Sequence, residues 1–197
     1  MATNKRYTVK FRRYRIGKTD YKSRLRLLTS RRNRLVVRKT INQVYMQVIS
    51  YVKDGDNVLV DVCSNKLRKY GWQYKLNNLP SCYLTGFLLG LESKKQKITE
   101  LNLDIGLRRS IKGSAIYSAL KGVVDAGIKI NFDEKILPSE DRIKGKHIAD
   151  YATLLKKHPE AYEKQFASYL KNNVAPEDIV KSFDSVKEKI LGTYKNG

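Results

Sequence analysis

Three runs before residue 64 predict β-strands, the first because β-branched residues occupy its centre and the other two because their side chains alternate with a spacing of two. The runs are Arg34–Lys39, residues 41–52 and residues 58–63. Between the second and third runs, residues 53–57 read Lys-Asp-Gly-Asp-Asn, a cluster that is typical of a turn. Because the connections are short, we predict that the three runs pair as an antiparallel meander.

After residue 79 the apolar spacing lengthens to three and four, the period of a helix with one buried face. Pro80 suits the first turn of such a helix, because the amide groups of that turn lack helical partners in any case. A second helix is predicted at residues 114–126, and Gly127 stands where a C-cap glycine belongs. The apolar positions of the two helices are Tyr83, Leu84, Phe87, Leu88, Leu91, Ile116, Ala119, Leu120, Val123 and Val124.

Two further alternating runs, residues 98–105 and 128–132, flank the second helix. A strand, a helix and a strand within so few residues predict a parallel pair joined by a right-handed crossover. The predicted fold class is therefore α/β. We expect a mixed sheet, made of the antiparallel three-strand meander and a parallel βαβ portion, with covering helices.

The last third of the chain predicts three helical segments, at residues 148–157, 159–172 and 176–191. Residues 131–197 carry 12 basic and 11 acidic residues, so their net charge is 12 − 11 = +1. We expect three parts: a basic, extended N-terminal arm at residues 1–33, an α/β domain at 34–132, and a helical C-terminal appendage at 133–197. Near-neutral charge favours packing or protein contact for the appendage.

Positive charge is concentrated at the N-terminus. Residues 5–39 carry 15 Lys and Arg against one acid, Asp20, which gives 15 − 1 = +14 of the whole chain's +21. So dense a block of like charge repels itself and resists burial, which indicates a polyanionic partner.

The residue types of the arm favour RNA as that polyanion. Most of its cations are Arg, which makes flat, forked bonds to phosphate and stacks on bases. Tyr7, Phe11, Tyr14 and Tyr21 are interleaved with them, and such rings suit the splayed bases of structured or single-stranded RNA. A membrane-binding arm would need an apolar helix face, which the few apolar residues here do not make. We expect residues 23–34 to become helical on binding.

Two smaller basic groups occur in the body. Arg68 and Lys69 follow the third strand, near Trp72, and the second group occupies the loop 106–113. Two glycines and three bases before a helix favour phosphate binding by that loop. The candidate RNA-binding residues are Lys5, Arg6, Tyr7, Lys10, Phe11, Arg12, Arg13, Tyr14, Arg15, Lys18, Tyr21, Lys22, Arg24, Arg26, Arg31, Arg32, Arg34, Arg38, Lys39, Arg68, Lys69, Trp72, Arg108, Arg109 and Lys112.

The sequence has no Walker A loop, dinucleotide fingerprint, serine elbow or HExxH motif. Cys63 and Cys82 predict neither a disulfide framework nor, with His147 and His158, a metal site, so we expect no cofactor. The N-terminus lacks the apolar run of a signal peptide. The longest apolar stretch, residues 79–91, is far shorter than the ~20 residues of a membrane helix. We therefore expect an intracellular protein with no membrane partner.

Two alternatives from other functional classes stay open. Asp61, Asp104 and Asp133 lie on or just after predicted strands, and three converging carboxylates could hold two divalent ions for phosphodiester cleavage. A metal-dependent nuclease is therefore one alternative, although each carboxylate could equally sit on a strand's polar face or neutralise a nearby base. The other alternative is an RNA chaperone that uses the arm without specificity.

Five short stretches carry a resemblance when they are read together. They are residues 11–21 (FRRYRIGKTDY), 34–39 (RLVVRK), 67–72 (LRKYGW), 83–86 (YLTG) and 119–127 (ALKGVVDAG), followed by the tail from residue 145 to 190. In this order, and over essentially the whole chain, they resemble archaeal-type members of the ribosomal protein eighteen family of the large subunit, which binds 5S rRNA.

The resemblance implies a structural protein of the ribosomal central protuberance, and no enzyme. Its partners would be 5S rRNA, the large (23S-type) rRNA and neighbouring proteins including ribosomal protein five of the large subunit, on cytoplasmic ribosomes. The chain departs from the family at residues 65–66, where a small residue and an acid are expected, and at 75–78, where a glycine-rich loop is expected. RNA contacts carried over by position are Arg12, Arg13, Arg15, Lys18, Arg34, Arg38 and Arg68.

Overall fold

A computed structural model of the chain describes residues 8–195. A four-stranded mixed sheet, in the order β3-β2-β1-β4, organises this part of the chain. Its strands are β1 (Arg34–Lys39), β2 (Val44–Val52), β3 (Gly55–Cys63) and β4 (Asn102–Asp104). Two helices, α1 (Arg12–Arg15) and α2 (Tyr21–Thr29), precede β1. β2 pairs antiparallel with both β1 and β3, and β4 pairs parallel with β1. The predicted α/β class and the predicted meander are confirmed.

The strands of the meander differ from the predictions only at the two turns. β2 begins at Val44, because residues 40–43 form a turn in which the Thr40 amide and hydroxyl both donate to the Gln43 carbonyl. β3 begins at Gly55, which pairs with Val52 and leaves a tight two-residue turn. Gly55 has a φ of +152°, a conformation that side chains disfavour.

Two helices cover the sheet face that buries Leu35, Met46 and Val48. The first, α3 (Leu79–Lys95), has Pro80 in its first turn, as predicted, and begins at Asn78, whose side-chain oxygen accepts the Ser81 amide at 3.0 Å. The second, α4 (Ala115–Asp125), confirms the helix predicted at residues 114–126. This layer of two helices on one sheet face forms the main core of the protein.

Glycines allow α3 and α4 to approach each other closely. A Cβ added at Gly86 would overlap the backbone carbonyl of Ala119, and one added at Gly122 would overlap the carbonyl of Tyr83. Both obstacles are backbone atoms, so neither can swing aside. The close crossing of the two helices therefore depends on the absence of a side chain at these two positions.

The strand predicted at residues 128–132 is wrong, and the parallel part of the sheet is smaller than expected. Glu100 and Lys129 form a single parallel bridge, and the chain then turns away into a 3-10 segment, Glu134–Ile136. The run predicted at 98–105 forms a strand only at β4, where it pairs with β1. The parallel pairing of the sheet is thus mainly between β1 and β4.

The C-terminal segments form α5 (Glu140–Lys144), α6 (Lys146–Leu155), α7 (Pro159–Leu170), a 3-10 turn at Pro176–Asp178, and α8 (Ile179–Lys195). These confirm the three predicted helices with shifts of a few residues. Phe183 of α8 is buried, and its ring lies 5.4 Å from that of Tyr83 on α3. The buried residues of these helices continue the core that α3 and α4 form on the sheet.

We expect Gly86→Ala to lower the free energy of unfolding by about 1–3 kcal/mol or more, because the new methyl group must push two helices apart. The matched control is Gly192→Ala on α8, where a Cβ would meet nothing within 4 Å. That substitution should be neutral or stabilise by up to about 1 kcal/mol, since Ala favours helix more than Gly. Urea denaturation of both variants checks this, and equal effects would contradict the proposed close packing.

Candidate nucleic-acid interface

The described part of the basic arm is partly helical. It contains a single turn, α1 (Arg12–Arg15), and a nine-residue helix, α2 (Tyr21–Thr29), so the expected extended arm is extended only around these helices. The helix expected at residues 23–34 begins earlier and ends at Thr29. It stops there because Arg31 takes a positive φ of 55° and β1 starts three residues later.

Asp20, the acid within the arm, starts α2. Its carboxylate accepts the amides of Lys22 and Ser23 at 2.9 and 3.2 Å and the Ser23 hydroxyl at 2.6 Å. The hydroxyl bond is the main reason that the pKa of Asp20 lies below its usual value. A charged N-cap of this kind satisfies the free amides of the first helical turn. The acid thus serves the arm's local structure, and the arm's surface stays cationic.

Contacts at both ends fix α2 over the sheet face that α3 and α4 leave open. The Arg24 guanidinium donates two hydrogen bonds of 2.9 Å to the two carboxylate oxygens of Asp56, at the start of β3. At the other end, the Asn102 amide of β4 donates to the Ser30 hydroxyl at 2.6 Å. Forked Arg–carboxylate pairs are geometrically specific. The helix is therefore held in one position relative to the sheet.

Arg34 lies at the centre of this attachment. Its guanidinium pairs with Asp56 at 2.8 Å and with Asp104 at 2.9 Å, and Asp104 pairs in turn with Arg38 at 2.9 Å. The Arg34 side chain is 3% exposed and that of Asp104 is 10% exposed. Leu35 and Val37, which alternate with Arg34 and Arg38 on β1, point into the core on the other face. A chain of three cations and two anions, Arg24-Asp56-Arg34-Asp104-Arg38, thus links the arm, β3, β1 and β4.

A groove of about 1000 Å³ lies between the arm and this sheet face. Its floor includes the apolar side chains of Val36 and Ile49. Cations line it from three sides: Arg13, Lys18, Arg24 and Arg26 from the arm, Arg34 and Arg38 from β1, and Arg108 from the loop after β4. We call this the arm–sheet groove. Such convergence of basic groups on one concave surface suits a phosphate backbone.

The loop 106–113 closes one end of the groove, against β1. The Arg38 guanidinium lies under Gly106, 3.0 Å from where a Cβ would be, and the Arg108 side chain donates to the Lys39 carbonyl. Arg109 and Lys112 are exposed on the same loop. Arg108 therefore adds a positive charge to the groove, whereas Arg109 and Lys112 do not line it.

Most of the predicted interface residues are accessible. Three of them, Lys5, Arg6 and Tyr7, lie outside the described residues. Tyr21, Arg24 and Lys39 are half-buried. The exposed ones are Lys10, Phe11, Arg12, Arg13, Tyr14, Arg15, Lys18, Lys22, Arg26, Arg31, Arg32, Arg38, Arg68, Lys69, Arg108, Arg109 and Lys112.

Two predicted contacts are buried, and we remove both from the candidate interface. Trp72 is 1% exposed, and its indole N–H donates to the Lys75 carbonyl at 3.3 Å, so it is a core residue. Arg34 is 2% exposed and is committed to two carboxylates. Arg68 and Lys69 lie on a 3-10 segment, Ser64–Tyr70, that packs against α3 and α8, and no residue of that segment lines the groove.

The sequence pattern predicts Asp56 within a turn and does not reveal its structural role. Asp104 was considered as a metal ligand or as a partner for a nearby base such as Arg108, whereas its partners are Arg34 and Arg38. A usable signal was present: both acids stand at the ends of predicted strands in a strongly basic half of the chain. Their partners lie 22 to 70 residues away, which local patterns do not reveal.

The carboxylates of the nuclease alternative do not converge. Asp61 is on β3 and Asp104 is on β4, at opposite edges of the sheet. Asp133 caps the 3-10 segment Glu134–Ile136 by accepting the Lys135 amide at 2.9 Å. Across residues 8–195, no group of three His, Cys, Asp or Glu side chains is placed to hold a metal ion. The same residues contain no helix that is long and apolar enough to cross a membrane.

The pairing of Asp56 with Arg24 and Arg34 predicts how the stability of the fold depends on pH. Partial burial works to raise the pKa of Asp56, but the hydrogen bonds from Arg24 and the ion pair with Arg34 outweigh it, so the pKa lies below the usual 3.8. A carboxylate with a depressed pKa stabilises the fold above its unfolded pKa, and this contribution is lost as the pH falls through the folded pKa. We therefore expect the free energy of unfolding to fall more between about pH 5 and 2 in the parent than in Asp56→Asn.

Chemical denaturation at several pH values checks that expectation. Asp54→Asn is the control, because it removes one carboxylate from the neighbouring turn, where Asp54 is exposed. If Asp54→Asn reduces the fall in the free energy of unfolding at low pH as much as Asp56→Asn does, that fall reflects net charge and does not depend on the pairing of Asp56.

Sequence comparisons relate the chain to proteins of the large ribosomal subunit. The family described as "Ribosomal large subunit proteins 60S L5, and 50S L18" matches residues 5–97 and 91–133. The chain is 49% identical over 190 residues to the large ribosomal subunit protein uL18 of Korarchaeum cryptofilum, covering 96% of this chain and 97% of that protein. It is 46% identical over 191 residues to uL18 of Methanococcus maripaludis, covering 97% and 99% respectively. The chain therefore belongs to the uL18 family of structural proteins of the large ribosomal subunit.

Proposed function

We propose that this ribosomal protein binds 5S rRNA through the arm–sheet groove and helps to attach it to the large rRNA in the central protuberance. The observation that carries the proposal is the attachment of α2 to the sheet by Asp56, which turns a row of like charges into a concave surface of fixed shape. Structured RNA is recognised largely by shape, by its backbone and by stacking on unpaired bases. A fixed basic groove supports that mode of recognition.

The exposed rings of the arm supply surfaces for stacking. Phe11 is 71% exposed and Tyr14 is 43% exposed. The Phe11 ring packs 5.0 Å from that of Tyr21, and the Lys10 ammonium lies 4.3 Å from the Tyr14 ring centre. Aromatic side chains beside cations bind unpaired bases and their phosphates together. The arm therefore suits RNA with accessible bases better than a uniform duplex.

Residues outside the groove would contact the large rRNA and the neighbouring proteins. Arg68 and Lys69 project from a different part of the surface than the groove, where they could contact the large rRNA while the arm holds 5S rRNA. The near-neutral C-terminal helices are the natural surface for protein neighbours such as ribosomal protein five of the large subunit. In this function, phosphate contacts position the protein, and neither a cofactor nor a catalysed reaction is needed.

The first test compares binding to 5S rRNA and to a tRNA competitor across a salt series. An interface that neutralises about 6–10 phosphates should lose about 10³–10⁵ in affinity between 50 and 200 mM salt. We expect 5S rRNA to keep a clear advantage at the higher salt. If both RNAs lose affinity together, the arm is a general polyanion binder, as in the RNA-chaperone alternative.

Replacing Arg12, Arg13 and Arg15 together by Ala should lower the slope of log affinity against log salt by about 2–3, because each phosphate contact contributes about 0.7–0.9. Each single Arg→Ala change should cost little, since many contacts share the binding. The control triple is Lys157→Ala, Lys164→Ala and Lys171→Ala, which removes the same charge from exposed positions of the C-terminal region. An equal change of slope in both triples would contradict the arm as the interface.

Loss of Asp56 should weaken binding to 5S rRNA without weakening binding to tRNA. Asp56→Ala raises the net positive charge, which alone would strengthen binding to any RNA. If the attachment of α2 matters, binding to 5S rRNA should instead weaken by roughly tenfold, about 1.4 kcal/mol, while tRNA binding stays equal or rises. Asp54→Ala is the control for charge alone, and filter binding measures both. Weaker 5S binding in both variants, or in neither, would argue against a positioning role.

A further inference from the structure

An aromatic pocket lies on the C-terminal helices, and none of its residues lines the arm–sheet groove. It has a volume of about 430 Å³, in the range of about 300–1000 Å³ that is usual for binding pockets. Its apolar walls are Ile148 and Tyr151 of α6 and Phe166 and Tyr169 of α7. Asn78, before α3, and His147, at the start of α6, supply polar groups.

Two polar atoms of this pocket are buried with no hydrogen bond of good geometry among the described residues: Nδ2 of Asn78, which lies beside the Tyr169 hydroxyl, and Nδ1 of His147. The Asn78 oxygen caps α3 through the Ser81 amide, so the orientation of the carboxamide is fixed and Nδ2 is left as a donor. Burial lowers the pKa of His147, which favours the neutral ring, whose Nδ1 can accept a hydrogen bond. The pocket thus offers one donor and one acceptor, and buried groups of this kind normally have partners.

The charge around the pocket separates it from an RNA site. Residues 146–170 carry four Lys and three acids, and Lys75 also lines the pocket, so the net charge of this surface is only 5 − 3 = +2. An RNA strand needs its phosphates neutralised, which this surface does not do. Next to the pocket, Tyr151 and Leu154 are 48% and 60% exposed, one helical turn apart on α6. Aromatic rings with few charges at the centre and polar groups around them are typical of protein–protein interfaces.

We propose that the aromatic pocket receives an apolar or aromatic side chain from a neighbouring protein of the large subunit, an inference that rests on the proposed contact between the C-terminal helices and such neighbours. The backbone next to that side chain completes the pocket's hydrogen bonds, since a carbonyl accepts from Asn78 Nδ2 and an amide donates to His147 Nδ1. A peptide supplies both groups side by side, and the rings of Tyr151 and Phe166 enclose the inserted side chain.

Site-specific photo-crosslinking tests the proposal. The photoreactive amino acid p-benzoylphenylalanine replaces Tyr151 in the full chain, which is then assembled into large ribosomal subunits in cells. After irradiation, mass spectrometry identifies the attached molecule. The matched control carries the same amino acid in place of Thr153, which is exposed on α6 but points about 200° away. Circular dichroism and particle incorporation establish that both variants fold.

The expected result is a crosslink from position 151 to a defined peptide of one ribosomal protein, centred on an apolar or aromatic residue, with none to that peptide from position 153. A crosslink from position 151 to rRNA would overturn the proposal in favour of RNA. So would the absence of any crosslink from incorporated protein, or equal crosslinking of one peptide from both positions. None of these outcomes bears on 5S rRNA binding, which the salt series tests separately.

Discussion

The ion pairs of Arg34 are the interaction on which the rest of the surface depends. Its guanidinium is almost fully enclosed between Asp56 and Asp104. A buried charge is costly unless it is paired, and removal of one partner from a buried pair commonly costs 3–5 kcal/mol. The two carboxylates therefore have little freedom to leave. Since Asp56 belongs to β3 and Asp104 to β4, this pairing draws both outer strands of the sheet toward β1.

The same two carboxylates also hold the neighbouring cations in position. Asp56 holds Arg24 and thereby α2, and Asp104 holds Arg38 beneath the loop 106–113. Without these acids, the cations on the arm, β1 and the loop would repel one another and spread apart. With them, Arg13, Lys18 and Arg26 keep their charge for a ligand while the groove keeps its shape. Two acids therefore hold together the surface that we propose as the RNA-binding groove.

Much of the fold followed from local sequence patterns. The bounds of β1, the meander and the helices α3 and α4 were predictable, because a spacing of two or of 3.6 acts within a few residues. The failures have longer-range causes. Residues 128–132 alternate as a strand does, yet pair at only one position. Trp72 stands among bases in the sequence, but the 3-10 segment before it turns its ring into the core.

The candidate site was predictable as a set of charged residues, and its geometry was not. Charge density alone predicts the arm as the polyanion-binding part. The partners of Asp56 and Asp104, and the aromatic pocket assembled from residues 75 to 169, come from distant parts of the chain that only the tertiary fold brings together.

The structure thus gives the two ends of the chain different surfaces. The arm–sheet groove carries concentrated charge in a fixed shape, which acts over long distances and favours RNA. The C-terminal helices carry balanced charge around aromatic rings, which act only at contact and favour protein. A subunit protein with both surfaces can join an RNA to the proteins around it without any chemical step.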